Sequence, residues 1–296
     1  MRSPLSLIPA LALTLSGCLT GNGVPATRDF DVFGAQSLDH RTLLDLEVHP
    51  GPKARLSITC DENLLDVFEV RVEGETLIID QDDRPIDPQV DCRGELELPA
   101  LTRLDSGGSG RVDVVGPFAE TALVAVSGSG SVRFREAVND AAHLEVSGSG
   151  SLDIPSAYGC GVRLRISGSG SLTLDELRTE TMAPCAARVE LLGSGSATVQ
   201  SLIAPATELS AQGSGSIRAA GQTGTLLVRV TGSGSVRAPD LVAESGDLES
   251  HGSGSIETTV TKSLRVRLTG SGDALVHGQP VLQDVTTTGS GRLRLR

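Results

Sequence analysis

The sequence predicts an all-β protein, a right-handed parallel β-helix (solenoid) of about ten coils with an N-terminal β cap. Three observations lead to this fold class. A Gly-Ser-Gly motif recurs at a spacing near twenty residues, the segments between the motifs alternate apolar and polar residues, and the chain has no Trp and one Tyr. A repeat of this length is typical of solenoids, and alternation with a period of two is typical of strands.

The repeat is counted from the first glycine of each Gly-Ser-Gly motif, at positions 108, 128, 148, 168, 193, 213, 232, 252, 270 and 289. The intervals are 20, 20, 20, 25, 20, 19, 20, 18 and 19 residues. In LEVSGSGSLDI the apolar residues and both motif glycines share one frame, and the serines occupy the other. Because strand residues alternate faces, the glycines are predicted to point inward at a corner that has no room for a Cβ.

The first seventeen residues are interpreted as a lipoprotein signal peptide and not as part of the fold. Arg2 precedes an apolar run, LSLIPALALTL, which is too short to span a membrane and ends in LSGC. This ending resembles the lipobox of bacterial lipoproteins, so Cys18 is predicted to be lipidated. A chance Cys after an ordinary signal peptide is the alternative. Residues 18–27 are predicted to be a tether, and Leu19 indicates an outer-membrane location by the sorting rule of enteric bacteria.

Residues 28–105 lack the Gly-Ser corner and are predicted to form an N-terminal β cap or irregular opening coils. Within them, VRVEGETLII is predicted to be a hairpin that turns at Glu73 and Gly74. Residues 106–296 are predicted to form the repeats, each with strands on both sides of the corner and a third short strand. The final segment, GRLRLR, has alternating arginines that would blunt an exposed strand edge.

The order of these segments resembles a known bacterial family. NLLDVFEVRVEGETLIID, then ELELPALTRLDSGGSGRVDV, then the SGSG coils are similar to the family described as putative auto-transporter adhesin, head GIN domain. The similarity covers about residues 28–296, with extra coils at the C-terminal end. The resemblance implies a right-handed β-helix and an adhesive role, and it brings no catalytic residues with it.

Four cysteines besides Cys18 are consistent with an oxidising compartment. Cys160 and Cys185 occupy the same offset within adjacent coils, once the five extra residues of the second coil are removed. A disulfide between them is predicted, with two unpaired buried thiols as the alternative. Cys60 and Cys92 both fall in the cap and are also predicted to pair.

Several classes of site are not expected. The formal net charge of −12 argues against nucleic acid, which requires a basic surface. The histidines, at positions 40, 49, 143, 251 and 277, have unrelated offsets in the repeat and are predicted to lie on the surface. No CxxC spacing indicates a metal, and the Gly-Ser motifs lead into strands, so a phosphate loop that opens a helix is not expected. The sequence therefore predicts no metal and no cofactor.

One serine of each corner is predicted to point outward and to stack on the next at a spacing of about 4.8 Å. The alternative is that serine is simply a small polar residue tolerated at a corner. The candidate binding ladder consists of Ser129, Ser149, Ser169, Ser194, Ser214, Ser233 and Ser253, continued by Ser271 and Ser290 and preceded by Ser109.

These features predict a non-catalytic, lipid-anchored extracytoplasmic protein with a structural, adhesive or envelope-organising role, facing the periplasm or the cell surface. The alternative is a binding module that recognises a polysaccharide or protein through its outer coil faces. A third candidate is a glycan-active enzyme. Such β-helix enzymes need clustered carboxylates or basic residues, whereas Asp113, Asp153 and Asp175 lie in different coils. Carbohydrate modules often use aromatic platforms, and Tyr158 alone is too little for one.

Overall fold

A computed structural model describes residues 18–82, 84–118, 121–139, 143–180 and 185–296. Its strands stack in parallel as a β-solenoid of about nine turns, which confirms the predicted fold class. Ten Gly-Ser-Gly corners enclose nine intervals, so the number of turns follows from the repeat. Among the described residues, no helix is both long enough and apolar enough to cross a membrane.

The strands of the N-terminal region are β1 (Leu19–Thr20), β2 (Pro25–Asp31), β3 (Ser37–His40), β4 (Asp45–Pro50), β5 (Arg55–Asp61), β6 (Phe68–Glu73), β7 (Thr76–Gln81), β8 (Ile86–Asp87) and β9 (Arg93–Leu98). A 3₁₀ helix, Glu62–Val67, connects β5 to β6. The short strands that follow are β10 (Arg103–Ser106), β11 (Arg111–Val114), β12 (Leu123–Val126), β13 (Ser131–Phe134), β14 (Val138–Asn139), β15 (His143–Val146), β16 (Ser151–Gly159), β17 (Arg163–Ile166), β18 (Ser171–Thr179) and β19 (Ala186–Gly193). Longer strands complete the chain, namely β20 (Ser196–Gly213), β21 (Ser216–Gly232), β22 (Ser235–Gly252), β23 (Ser255–Gly270), β24 (Ala274–His277), β25 (Val281–Gly289) and β26 (Leu293–Leu295).

The turns contribute to two stacks of parallel strands throughout and to a third stack from β14 onward. The first sheet leads into the Gly-Ser-Gly corner and runs from β7 through β3, β10, β12, β15, β17 and β19 to the ends of β20–β23 and then β25. The second sheet leaves the corner and runs from β9 through β4, β11 and β13 to the starts of β16, β18 and β20–β23, then to β24 and β26. A third stack of short strands begins at β14, in agreement with the predicted third strand.

The turns of the cap do not follow chain order in space. Strands β7 and β9 lie outside β3 and β4, so the second turn along the chain is the first turn of the stack. Antiparallel strands cover it, because β6 pairs with β7, β5 pairs with β9, and β2 pairs with β5. The β6–β7 pair is the hairpin predicted at Glu73 and Gly74, and Gly74 has the positive φ of 64° that this turn requires.

The prediction of a tether at residues 18–27 is wrong, because this segment is bound to the cap. Strand β1 pairs with β8, and the amide of Leu19 donates to the carbonyl oxygen of Pro85 at 2.9 Å. The carboxylate of Asp61 accepts hydrogen bonds from the amide of Gly23 at 2.6 Å and from two amides of the loop before β9. Desolvation raises the pKa of Asp61, but these hydrogen bonds outweigh it and hold the pKa below its usual value.

The core is mainly aliphatic, with a few buried phenylalanines, and it contains one histidine where the sequence predicts none. His40 is fully buried, so the prediction that every histidine lies on the surface is wrong for this residue. The alternation of β3 turns position 40 inward, beside Ser106 of the next turn. The Nε2 atom of His40 lies 3.1 Å from the hydroxyl of Thr42, and burial lowers the pKa of the imidazole to about 4.

Candidate functional site

Each Gly-Ser-Gly corner is bound to the preceding turn through its backbone. The amides of Ser149 and Gly150 both donate to the carbonyl oxygen of Gly128, at 3.2 and 3.1 Å. The same pattern repeats at every corner, from Ser109 to Ser290. These hydrogen bonds stack the corners in register and keep their outer side chains at a constant spacing.

The corner glycines are required by the close approach of neighbouring turns. A Cβ on Gly170 would lie inside van der Waals contact with the Gly150 carbonyl oxygen and 2.6 Å from the Val146 Cγ1 atom. A Cβ on Gly168 would lie 2.8 Å from the Ser147 carbonyl oxygen. The second glycine of each described corner up to position 272 is buried as predicted, but the first is only half-buried or more exposed. The backbone of the preceding turn, more than the interior, therefore excludes a side chain at the first position.

The corners have two backbone forms that the sequence analysis did not separate. From Gly193 onward the first glycine has a positive φ between 101° and 135°, in the region that favours glycine. The four earlier corners do not have this conformation. The residue before the motif distinguishes the two forms, because it is Gly or Ser in the earlier corners and Leu, Gln, Thr or His in the later ones.

The structure brings the predicted ladder serines together along one edge of the solenoid. All ten, from Ser109 to Ser290, are exposed. A second row, two residues later in seven of the turns, was missed although it occupies the same outward frame. Its members are paired in register from turn to turn, and they are Ser131, Ser151, Ser171, Ser196, Ser216, Ser235 and Ser255. We call the two rows together the serine face.

The serine face is shallow. Near the cap it lines a depression of about 240 Å³, to which Asp45 and Arg111 also contribute. Its surface consists of hydroxyl groups and backbone, so it can donate and accept hydrogen bonds but offers no enclosed pocket. An extended partner that makes many small contacts suits this geometry better than a small molecule does.

A ladder of ion pairs crosses the outer surface of the first sheet. Glu208 contacts Arg188 at 2.8 Å and Arg229 at 2.7 Å. Glu249 contacts Arg229 at 3.2 Å and Arg267 at 3.1 Å. Exposed pairs of this kind are worth little individually, but here each charged group bridges two turns. The ladder therefore stabilises the stacking of five successive turns.

The remaining sequence candidates do not form a reactive centre in the part of the chain that the structure describes. Asp153 lies 3.6 Å from Arg133, and Asp175 accepts a hydrogen bond from Gln200 at 2.6 Å. Among the described residues, no group of three or more His, Cys, Asp or Glu side chains is arranged to hold a metal ion. The hydroxyl of Tyr158 contacts the carboxylate of Glu176 at 3.2 Å and belongs to no aromatic platform.

The structure joins the four cap and coil cysteines as two disulfides. Cys160 and Cys185 are linked with their Cα atoms 4.7 Å apart, and this bond ties two adjacent turns together at the position of the five-residue insertion. Cys60 and Cys92 are linked with their Cα atoms 4.3 Å apart, so β5 is fixed to the loop before β9. Cys18 is exposed at the start of the described chain.

Two solved structures are similar to this chain. One is the crystal structure of a putative lipid binding protein from Parabacteroides distasonis ATCC 8503, at 22% identity and a TM-score of 0.54, covering 95% of this chain and 100% of that chain. The other is a putative adhesin from Parabacteroides merdae ATCC 43184, at 20% identity and a TM-score of 0.50, covering 94% and 98%. At these identities the likeness shows the fold alone.

No curated protein matches the chain. The sequence model of one family matches residues 36–187 and 183–280, which together span most of the chain. The chain therefore belongs to the family described as putative auto-transporter adhesin, head GIN domain.

Proposed function

We propose that this protein is a lipid-anchored, extracytoplasmic β-solenoid with a non-catalytic adhesive or envelope-organising role. The observation that carries the proposal is the serine face, whose first row repeats without interruption over ten corners and whose second row covers seven of them. From Ser109 to Ser290 it spans nine steps of about 4.8 Å, or about 43 Å in all. Weak contacts repeated along a stiff surface can add up to useful avidity without a deep pocket. The family's description as an adhesin supports this role.

The anchor is proposed from the LSGC sequence that ends at Cys18. Because β1 begins at Leu19 and is paired with β8, an acyl chain on Cys18 would hold the cap close to the bilayer. The later turns would then extend the serine face away from the anchoring point. A single acyl chain binds a membrane only marginally, so stable anchoring at Cys18 would require more than one acyl chain.

A non-catalytic role is supported by how the titratable groups of the described residues are placed. The imidazole of His40 has a strongly lowered pKa but is buried in the core, where no substrate reaches it. Asp82 has a lowered pKa because it is bound by the side chain and amide of Arg84, which is a surface ion pair. Groups whose pKa is shifted by burial or by a surface ion pair belong to the fold, whereas an acid–base site would place groups with shifted pKa values together in an accessible cleft.

The test is binding of the purified mature protein to isolated cell-envelope material. Glu in place of Ser129, Ser149 and Ser169 would add three charges to adjacent corners of the serine face, and binding should fall sharply. The control variant carries Glu in place of Gln89, Gln283 and Thr286, which are exposed elsewhere. It has the same added charge and should bind like the wild type. Equal binding by both triple variants would contradict a role for the serine face.

A further inference from the structure

Two arginines face each other on neighbouring turns without an acidic partner. Arg218 and Arg237 are Cα partners in the parallel pairing of β21 with β22, and both are exposed. Within the described ranges, neither forms an ion pair with a carboxylate at 4.0 Å or less. Like charges directly opposite each other destabilise a sheet, so folding does not account for this pair.

The outward column that contains the pair is free of acidic residues over four turns. In register it runs Asp153, Thr173, Thr198, Arg218, Arg237 and Glu257. Glu257, the acidic neighbour on the following turn, has its Oε1 atom 3.1 Å from the Nε2 atom of His277. Its carboxylate therefore contacts the turn beyond and not Arg237, and the two exposed guanidinium groups form a small patch of positive charge.

The patch adjoins the serine face. Ser216 and Ser235 precede the two arginines by two residues on the same outward side, and the Nη1 atom of Arg218 donates to the Ser216 hydroxyl at 3.4 Å. The part of the chain that contains the pair also differs in charge from the cap. Residues 18–105 hold 8 basic and 19 acidic residues, whereas residues 106–296 hold 16 and 18. An anionic polymer would therefore be repelled less by residues 106–296 than by the cap.

We propose that Arg218, Arg237 and the adjoining serine face bind an anionic polysaccharide through its carboxylate groups. This inference rests on the proposed adhesive function and names its partner by chemistry. Guanidinium groups bind carboxylates with paired, charge-assisted hydrogen bonds, and the rows of serine hydroxyls can hydrogen-bond to sugar hydroxyls. A polymer with a regular repeat can contact a surface with a regular repeat at many points. The two arginines would bind the carboxylates of its charged sugar units.

The position of the pair favours a partner in solution over the anchoring bilayer. Along the second sheet, β21 lies six strand steps from β4, through β11, β13, β16, β18 and β20, which is about 29 Å at about 4.8 Å for each step. Lipid headgroups beside a cap held down at Cys18 would not reach this distance.

The experiment measures binding of the mature protein to polygalacturonate by titration calorimetry, with neutral dextran of equal chain length for comparison. Polygalacturonate should bind, dextran should not, and added NaCl should weaken the binding. The double variant Arg218→Gln with Arg237→Gln should lose affinity by about tenfold or more, because charge-assisted hydrogen bonds to the carboxylates are lost. Its thermal midpoint should not fall, since the substitution removes a like-charge contact.

The control is Arg55→Gln with Arg71→Gln, which makes the same change in charge at two exposed arginines of the cap, away from the serine face. It should keep the wild-type affinity. Equal losses in both double variants would mean that only net charge matters and would overturn the proposed site. Failure of the wild type to bind polygalacturonate would also overturn it. The proposed adhesive function is tested separately, by whether binding to envelope material depends on the serines. A negative result with polygalacturonate therefore overturns the polysaccharide proposal without deciding the adhesive one.

Discussion

A side chain at the second corner glycine should destabilise the solenoid far more than a change at the neighbouring serine. We compare Gly170→Ala with Ser169→Ala. The φ of Gly170 is not in the left-handed region, so the backbone itself accepts alanine and the effect is steric. The added Cβ would meet the carbonyl oxygen of Gly150 and would lie 2.6 Å from a methyl group of Val146.

The size of the destabilisation depends on which of the atoms contacted by the new Cβ can move. The Val146 methyl group could shift, but the Gly150 carbonyl oxygen is part of the hydrogen-bonded ladder between turns and could not. Overpacking of this kind costs about 1–3 kcal/mol, and we expect the upper end for Gly170→Ala. Ser169 is exposed, so Ser169→Ala should change the free energy of unfolding by no more than about 0.5 kcal/mol.

The assay is urea denaturation followed by circular dichroism at the strand signal. The two variants should differ in midpoint at an unchanged slope, because stability changes while the surface exposed on unfolding does not. Gly170→Val should be less stable again, since the two additional methyl groups would have to enter the same contact. Equal midpoints for Gly170→Ala and Ser169→Ala would show that the turns do not approach each other as the structure has them.

Three further predictions test other parts of the fold. Gly193→Ala should destabilise through backbone strain as well as contact, because its φ is 135°, and its urea midpoint should fall below that of Ser194→Ala. Non-reducing peptide mapping should recover Cys160 joined to Cys185, and free thiols at both positions would contradict the pairing. Replacing both by Ser should cost about 3.5 kcal/mol by the chain-entropy estimate for a separation of 25 residues. The buried His40 should make stability depend on pH, because the pKa of its imidazole is about 4 in the folded protein and 6.5 in the unfolded chain. The contribution of His40 to the free energy of unfolding is therefore fully present above pH 6.5. It decreases as the pH falls and at pH 5 is about 2 kcal/mol lower. Between pH 7.5 and 5 the unfolding free energy of the wild type should therefore fall by about 2 kcal/mol more than that of His40→Leu, and parallel curves would contradict this account.

The features that repeat along the chain could be predicted, because each copy supports the others. The even frame of LEVSGSGSLDI and the spacing of the corners were enough to indicate parallel turns with outward serines. The shared offset of Cys160 and Cys185 led to the pair that the structure forms. The same comparison of offsets indicates that Arg218 and Arg237 lie side by side, because both stand five residues after the first glycine of their corners.

The features that depend on non-local pairing could not be predicted from local pattern. The alternation in β7 and β9 marks them as strands, but it does not say that they lie outside β3 and β4. The sequence does not predict the burial of His40, because the residues that lie beside it in the stack are known only once β3 is paired with β10. The composition of the segment after Cys18 predicts a tether, because it does not reveal that Asp61 binds its backbone.

The most direct test of the central claim, a lipid-anchored protein outside the cytoplasm, is metabolic labelling with a fatty acid in a bacterial host that processes lipoproteins. The wild type should carry the label and fractionate with membranes. Cys18→Ser should be unlabelled and should appear outside the cytoplasm as a soluble, disulfide-bonded protein, since β1 still pairs with β8. Label retained by Cys18→Ser, or an unlabelled wild type that is not bound to membranes, would contradict the account.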